Sequence, residues 1–182
     1  EIFRSYIKSY KNLPLNLFHI QWKFRDEIRP RFGLLRGREF LMKDAYSFDL
    51  NIESAKISYF KMFNSYMKTF KRLGLNAIPV VADSGPIGGE LSHEFSIVTN
   101  TGETEVYYDS RILEIENYDF DYSDTDSLKN SYNNFTNFYS STDDKYSKDL
   151  FKKIPEEFQN KGKAIEIGHI FSFGYKYSEP MN

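Results

Sequence analysis

The chain has 182 residues, of which 40% are hydrophobic and 18% aromatic, and its formal net charge of -2 excludes a polybasic, histone-like protein. It contains no cysteine, which excludes disulfides, zinc–thiolate sites and cysteine nucleophiles. No apolar run approaches the roughly 18 residues that span a bilayer, so we expect a soluble, cytoplasmic protein of one domain without membrane or DNA partners.

The first half of the chain predicts a hairpin followed by a long helix. Apolar residues at helical spacing predict the end of a helix over 2–11, and because no N-cap precedes it we interpret the chain as an excerpt of a longer protein. Residues 15–26 and 38–48 predict two strands that are joined by a basic loop. An apolar stripe predicts a helix over 51–73, and Gly74 is its predicted stop.

The second half predicts short strands joined by tight turns. Strands are predicted over 77–82, 93–99, 103–108 and 164–173. Residues 110–162 differ in composition, since they are rich in Asp, Ser, Asn and Tyr and contain only short amphipathic stretches. This order of elements predicts an α+β fold with an antiparallel sheet.

Charge is distributed unevenly along the chain. Residues 1–43 contain ten basic and four acidic side chains, whereas residues 103–150 contain four basic and twelve acidic ones. Two solvated faces would account for this pattern. The clustering of arginines around one predicted turn favours the alternative, a surface that binds phosphate groups.

The most informative group of residues surrounds that turn. If Arg25 and Glu27 lie on a strand, they share one face, where they either pair with each other or bind a ligand that has an anionic part and an amine. Glu27 can accept a hydrogen bond from an exocyclic amine such as that of adenine. Phe40 either stacks on a base or belongs to the core. The turn also carries Arg29, Arg31, Arg36 and Arg38.

The same residues resemble a known sequence motif. Residues 24–33 (FRDEIRPRFG) followed by 38–48 (REFLMKDAYSF) are similar to motif 2 of the class II aminoacyl-tRNA synthetases. In detail they resemble the bacterial prolyl-tRNA synthetases. This resemblance implies a class II antiparallel sheet flanked by helices, of which the chain contains a partial domain.

Two further segments resemble the same family. The glycine-rich segment 82–89 (ADSGPIGG) with 92–95 (SHEF) is similar to the part before the family's editing insertion, and 165–171 (IEIGHIF) is similar to the part after it. The resemblance implies that 1–108 and 163–182 form part of the catalytic core. Residues 109–162 would be a short acidic insertion in place of the editing domain, so that editing of mischarged alanyl-tRNA is missing or vestigial.

The resemblance also implies the site. Arg25 would bridge the α-phosphate of ATP and the carboxylate of proline, and Glu27 and Phe40 would bind adenine. Arg36 or Arg38 would contact the β- and γ-phosphates, and which of them does so stays open. Glu166 would be a further ATP contact, and the implied proline contacts are Met42, Asp44, Tyr46 and His169.

The implied reaction forms prolyl-adenylate from L-proline and ATP, with Mg²⁺, and transfers the prolyl group to tRNA(Pro). The resemblance implies a homodimer for the full-length protein. It also implies that motif 1, the loop that holds the proline nitrogen, motif 3 and the anticodon-binding domain lie outside this excerpt, which we expect to be inactive alone. The alternatives are a synthetase-like paralogue that binds an amino acid or adenylate without charging tRNA, and an RNA-binding module that uses residues 1–43.

Other catalytic patterns are disfavoured. His19, His93 and His169 have no histidine partners two or four residues away, so no metal ligand is assigned. His93 is expected to be a hydrogen-bonded structural residue, since neither Ser84 nor Ser92 lies in a nucleophile-elbow pattern. Residues 85–89 lack the Lys-Ser/Thr ending of a P-loop.

Overall fold

A computed structural model describes residues 2–31, 33–85, 91–116 and 118–181. The chain divides into two compact units, Glu1–Ala55 and Lys56–Asn182. Of the glycine-rich segment, residues 86–89 lie outside the described residues, as does Phe32 of the arginine-rich turn. Among the residues that the structure describes, no helix is long and apolar enough to cross a membrane.

The first unit contains the hairpin that the sequence predicts. α1 (Ile2–Tyr6) and a short 3₁₀ turn precede β1 (Leu15–Phe24), which pairs antiparallel with β2 (Glu39–Phe48) along its whole length. Phe3 on α1 stacks on Phe48 with ring centroids 4.2 Å apart. The predicted hairpin is therefore confirmed, although its first strand ends at Phe24 and not at Asp26.

The hairpin has two different faces because side chains alternate along each strand. One face carries an exposed apolar row on β1, formed by Phe18, Ile20, Trp22 and Phe24. The opposite face carries the predicted binding residues of β2. These are Phe40, Met42, Asp44 and Tyr46, which lie directly across from Lys23, Gln21, His19 and Leu17. The four predicted residues thus share one face, as their spacing indicates.

Helix α2 (Ile52–Arg72) supplies much of the core of the second unit. At its start, the Ser54 N–H donates to Asn51 Oδ1 at 2.9 Å, and the Asn51 N–H donates to Ser54 Oγ at 3.2 Å, so the two residues cap the helix reciprocally. The buried residues Tyr59, Phe63, Met67 and Phe70 recur at helical spacing. Gly74, with a φ of 73°, follows the helix as predicted.

Among the described residues of the second unit, five strands follow α2. They are β3 (Ala77–Val81), β4 (Leu91–Val98), β5 (Thr104–Asp109), β6 (Ser140–Thr142) and β7 (Gln159–Ser172). They form a closed barrel in the order β3–β4–β7–β5–β6, in which β7 pairs antiparallel with both β4 and β5. β6 closes the barrel by pairing antiparallel with β5 and parallel with β3. The α+β class is confirmed, and the parallel closing pair is a feature that the sequence did not predict.

Residues 109–162, here called the acidic segment, contribute to the core of this unit. Besides β6 this segment contains α3 (Thr125–Thr136) and α4 (Lys148–Phe151). Phe135 on α3 is buried and packs against Phe63 of α2, with ring centroids 6.1 Å apart. The Asn64 side-chain amide donates to the carbonyl oxygen of Leu128 at 2.9 Å. Residues of the acidic segment therefore join α2 to the barrel.

We expect Phe135→Ala to lower the free energy of unfolding by about 3–5 kcal/mol, because it leaves a cavity next to Phe63. Urea denaturation measures this change. Leu113→Ala is the control, since the Leu113 side chain is 48% exposed and its removal should cost less than about 1 kcal/mol. Equal effects of the two substitutions would contradict a core role for α3.

Candidate active site

Eight of the ten predicted site residues lie on the hairpin of the first unit, and Glu166 and His169 lie on β7 of the second. Arg25 directly follows β1, and its backbone N–H donates to the carbonyl oxygen of Arg38 at 2.9 Å. Its guanidinium lies over the Phe40 ring, 5.2 Å from the centroid. A cation above an aromatic face is attracted by the negative charge of that face. Phe40 therefore holds the Arg25 side chain at the loop end of the hairpin.

Glu27 organises the loop between β1 and β2. Its Oε2 accepts a hydrogen bond from Arg36 Nε at 3.1 Å, and its Oε1 accepts from the Arg29 backbone N–H at 2.9 Å. Its carbonyl oxygen accepts from Arg38 Nε at 3.0 Å. The Arg29 N–H, and then the Arg36 guanidinium, hold the pKa of the Glu27 carboxyl below its usual range. Because β1 ends before Arg25, Glu27 does not share a strand face with Arg25, and its ionic partner is Arg36.

Asp44 is the centre of a polar network on the face of the hairpin that carries Phe40, Met42 and Tyr46. Its Oδ2 accepts hydrogen bonds from Lys23 Nζ at 3.0 Å and from the Tyr46 hydroxyl at 3.2 Å, and lies 3.1 Å from His19 Nε2. The bond from Lys23 lowers the pKa of the Asp44 carboxyl. Its Oδ1 is buried and accepts no hydrogen bond from the described residues. This face thus carries an ionised carboxylate, one oxygen of which is buried without a hydrogen-bond partner among the described residues.

In the second unit, the pairing of β4 with β7 places Glu94 directly opposite His169. His169 Nε2 lies 2.7 Å from Ser92 Oγ, and His169 Nδ1 lies 3.1 Å from Glu166 Oε1 and 3.9 Å from Glu94 Oε1. The His169 ring also stacks on Phe171 with centroids 3.9 Å apart. Contacts at both nitrogens and at one ring face therefore fix the orientation of His169.

Glu94 is a candidate site residue that the sequence did not reveal. Burial, and then repulsion from Glu166, raises the pKa of the Glu94 carboxyl to about 7. The sequence of one strand does not show which residue of another strand it faces. The one available signal was that Glu94, on the predicted strand 93–99, lies two residues after Ser92, so that an extended chain starting at Ser92 puts both side chains on the same face.

His93 points away from this group, into the core. It is only 3% exposed, and its Nδ1 lies 2.7 Å from the Tyr59 hydroxyl. Burial, and then the nearby His169, lowers the pKa of His93 to about 4. His93 is therefore a neutral, hydrogen-bonded structural residue, as the sequence analysis expects, and the partner of Ser92 is His169.

Glu94, Glu166 and His169 together offer donor atoms that lie within 4.8 Å of one another. The two carboxylates fit Mg²⁺, which takes oxygen ligands and is commonly held by one or two carboxylates, whereas the ring nitrogen suits softer cations. No metal ligand could be assigned from the sequence, because these three donors come from two strands that are far apart in the chain.

We expect Glu94→Gln to change the pH dependence of stability. The pKa of the Glu94 carboxyl is higher in the folded than in the unfolded protein, so its contribution to stability is fully present below about pH 4.5 and is lost as the pH rises through 7. Glu94→Gln should match the wild type near pH 4 and become more stable above pH 7, by up to about 3 kcal/mol. Thermal unfolding across this range measures the difference, with the exposed Glu156→Gln as control. A difference that does not vary with pH would contradict the assignment.

The sequence is similar to known proteins over its whole length. It is 55% identical over 183 aligned residues to the proline–tRNA ligase of Bartonella tribocorum, covering 100% of this chain and 42% of that protein. It is also 55% identical to the proline–tRNA ligases of Brucella anthropi and Brucella melitensis, covering 41% of each. The chain thus spans about two fifths of the length of these curated relatives.

A family profile identifies the domain to which this sequence corresponds. The profile describes the tRNA synthetase class II core domain (G, H, P, S and T), and it matches residues 1–182. This match agrees with the motif 2 resemblance and with the hairpin that holds Arg25, Glu27 and Phe40 at one end. The chain therefore belongs to the class II tRNA synthetase core domain family.

Proposed function

We propose that this chain is part of the catalytic core of a proline–tRNA ligase. A protein with this core would activate L-proline with ATP and transfer the prolyl group to tRNA(Pro). The observation that carries the proposal is the placement of the Arg25 guanidinium over Phe40, at the end of the hairpin whose loop also carries the ionised Glu27 carboxylate. The names of relatives that match the whole chain support proline as the amino acid.

In the first proposed step, a carboxylate oxygen of proline attacks the α-phosphorus of ATP. A new P–O bond forms, the bond to pyrophosphate breaks, and its electron pair leaves with pyrophosphate. Negative charge develops on the α-phosphoryl oxygens, and Arg25 would stabilise it with its fixed fork of N–H donors. This step needs no proton transfer, so no general acid or base is assigned.

Glu27 and Phe40 would bind the adenine ring. Glu27 uses one acceptor position on each carboxylate oxygen within the loop. Since each carboxylate oxygen has two lone pairs, Glu27 can also accept a hydrogen bond from the exocyclic amine of adenine. The aromatic face of Phe40 would stack on the base.

Arg36 and Arg38 would contact the β- and γ-phosphates, and both are tied to Glu27. Arg36 donates to the Glu27 carboxylate, and Arg38 donates to its carbonyl oxygen. Glu27 would therefore position the phosphate-binding arginines as well as the base, so that the loop is organised before ATP arrives.

Met42, Asp44 and Tyr46 would line the proline subsite on the hairpin face. The Oδ1 atom of Asp44, which has no partner among the described residues, would attract the positively charged ring nitrogen of proline. In the second unit, His169 is proposed as a further proline contact and Glu166 as an ATP contact, as the family resemblance implies.

Glu94 and Glu166 would hold the Mg²⁺ that accompanies ATP, because their oxygens suit this ion. When bound, Mg²⁺ would supply positive charge that offsets the charge on phosphate oxygens. The proposal also includes a homodimer and a cytoplasmic location for the full-length protein. It further includes a catalytic-core role for 1–108 and 163–182 and an insertion role for 109–162.

Proline-dependent exchange between ATP and pyrophosphate tests the proposal. We expect the full-length protein to exchange with proline, and Arg25→Ala to lower kcat/KM by about 10²–10³-fold because charge on the α-phosphate loses its partner. Arg29→Ala is a matched control in the same loop, since Arg29 contacts Glu27 through its backbone N–H, which the substitution keeps. Arg29→Ala should retain exchange within about threefold.

Two outcomes would contradict the proposal. Binding of proline or an adenylate analogue without exchange would favour the paralogue that does not charge tRNA. Exchange that depends on another amino acid would retain the family and reject proline as the substrate.

A further inference from the structure

We propose that Lys145 of the acidic segment is a positioning residue that fixes the turn after β3, residues 82–85, beside Ser92 and His169. The acidic segment would thereby influence the binding of the amino acid. The consequence for amino-acid binding rests on the proposed function, whereas the positioning of the turn does not.

The first support is the way in which β6 joins β3. Pro79 lies in the middle of β3 and has no N–H to donate. Hydroxyl groups of β6 complete the pairing, since Ser140 Oγ donates to the Pro79 carbonyl oxygen and Thr142 Oγ1 lies 3.5 Å from the Val81 carbonyl oxygen. These hydroxyl-bearing residues of β6 are buried. β6 is therefore fixed against the end of β3 from which the turn begins.

The second support is an aromatic cluster behind β6. Tyr146 packs on Tyr107 of β5 with ring centroids 4.2 Å apart, and Phe151 of α4 lies 5.8 Å from Tyr107. The Tyr139 hydroxyl accepts a hydrogen bond from the Ser147 N–H at 2.8 Å. The 3₁₀ turn Asp143–Lys145 lies in the chain between β6 and this cluster, so both of its ends are anchored.

The third support is the position of Lys145 itself. Its Nζ lies 3.4 Å from Asp83 Oδ1 in the turn after β3. On the other side of the turn, the Ala82 N–H donates to the Ser92 carbonyl oxygen at 3.3 Å. Lys145, Ala82, Asp83 and Ser92 are among the residues that line a cavity of about 260 Å³. The hydroxyl of Ser92 in turn lies 2.7 Å from His169 Nε2.

The ion pair between Lys145 and Asp83 can position the turn without stabilising the whole protein. The side chains of Lys145 and Asp83 are 45% and 58% exposed, and ion pairs of this kind contribute little to global stability. Loss of the pair should therefore leave the melting temperature almost unchanged. A positioning role requires instead that the local protection of the turn and the binding of the amino acid both change.

Hydrogen exchange of the full-length protein tests the positioning directly. In Lys145→Met, which keeps the length of the side chain, we expect the amides of residues 82–85 to exchange about two- to fivefold faster than in the wild type, a factor that matches the strength of an exposed pair. Lys152→Met is the matched control, because Lys152 is an exposed lysine of the same segment. It should leave the exchange of 82–85 unchanged.

Exchange between ATP and pyrophosphate tests the consequence for the site. Lys145→Met and Asp83→Asn should each raise KM for proline about two- to fivefold, with kcat within about twofold and Tm within about 1 °C of the wild type. The charge-swapped double variant Lys145→Asp with Asp83→Lys should recover most of the wild-type KM.

The outcomes distinguish this inference from the proposed function. If the wild type shows no exchange with proline, the proposed function fails, and the hydrogen-exchange comparison still decides the role of Lys145. If the wild type is active but Lys145→Met matches Lys152→Met in hydrogen exchange or in KM, the inference is wrong. Equal loss of Tm and activity without recovery in the double variant would also overturn it.

Discussion

The second unit depends on the closure of its barrel by β6, a strand of only three residues (Ser140–Thr142). Pro79 lies at the centre of β3 and has no N–H. The edge of β3 that faces β6 therefore cannot form a complete ladder of backbone hydrogen bonds. The small hydroxyl residues of β6 fill this edge with side-chain donors and join β3 to β5. An open edge would otherwise expose unpaired backbone groups. The acidic segment, despite its polar composition, thus completes the structural framework.

The first unit orders its charges by a different means. Alternation along two paired strands separates an apolar row from the polar network around Asp44. A single carboxylate, that of Glu27, then arranges the loop at the end of the hairpin. Glu27 contacts Arg36 through its side chain and Arg38 through its backbone. Two arginines that would repel each other are held close together because both donate to the same residue. This arrangement gathers two arginines around Glu27.

Much of this fold could be predicted from the sequence because its elements have strong periodicity. The stripe of α2, with Gly74 after it, and the alternation of Met42, Asp44 and Tyr46 are local patterns. Contacts between residues that are far apart in the sequence leave no such local pattern, and these are the contacts that could not be predicted. Glu94 faces His169 only through the register of β4 with β7, and the Glu27–Arg36 pair depends on the conformation of a loop. β6 escaped detection because Ser and Thr carry no hydrophobic signal even when they are buried.

Two neighbouring residues of β4, His93 and Glu94, have different pKa values and respond differently to a change of pH. Successive residues point to opposite faces, so His93 enters the core while Glu94 faces the candidate site. With a pKa of about 4, His93 stays neutral across the physiological range, whereas Glu94 titrates near 7. Protonation can therefore change the charge of the candidate site while the hydrogen bond between His93 and Tyr59 stays intact. A change of pH near 7 can therefore alter the charge of Glu94 without altering the packing of His93 in the core.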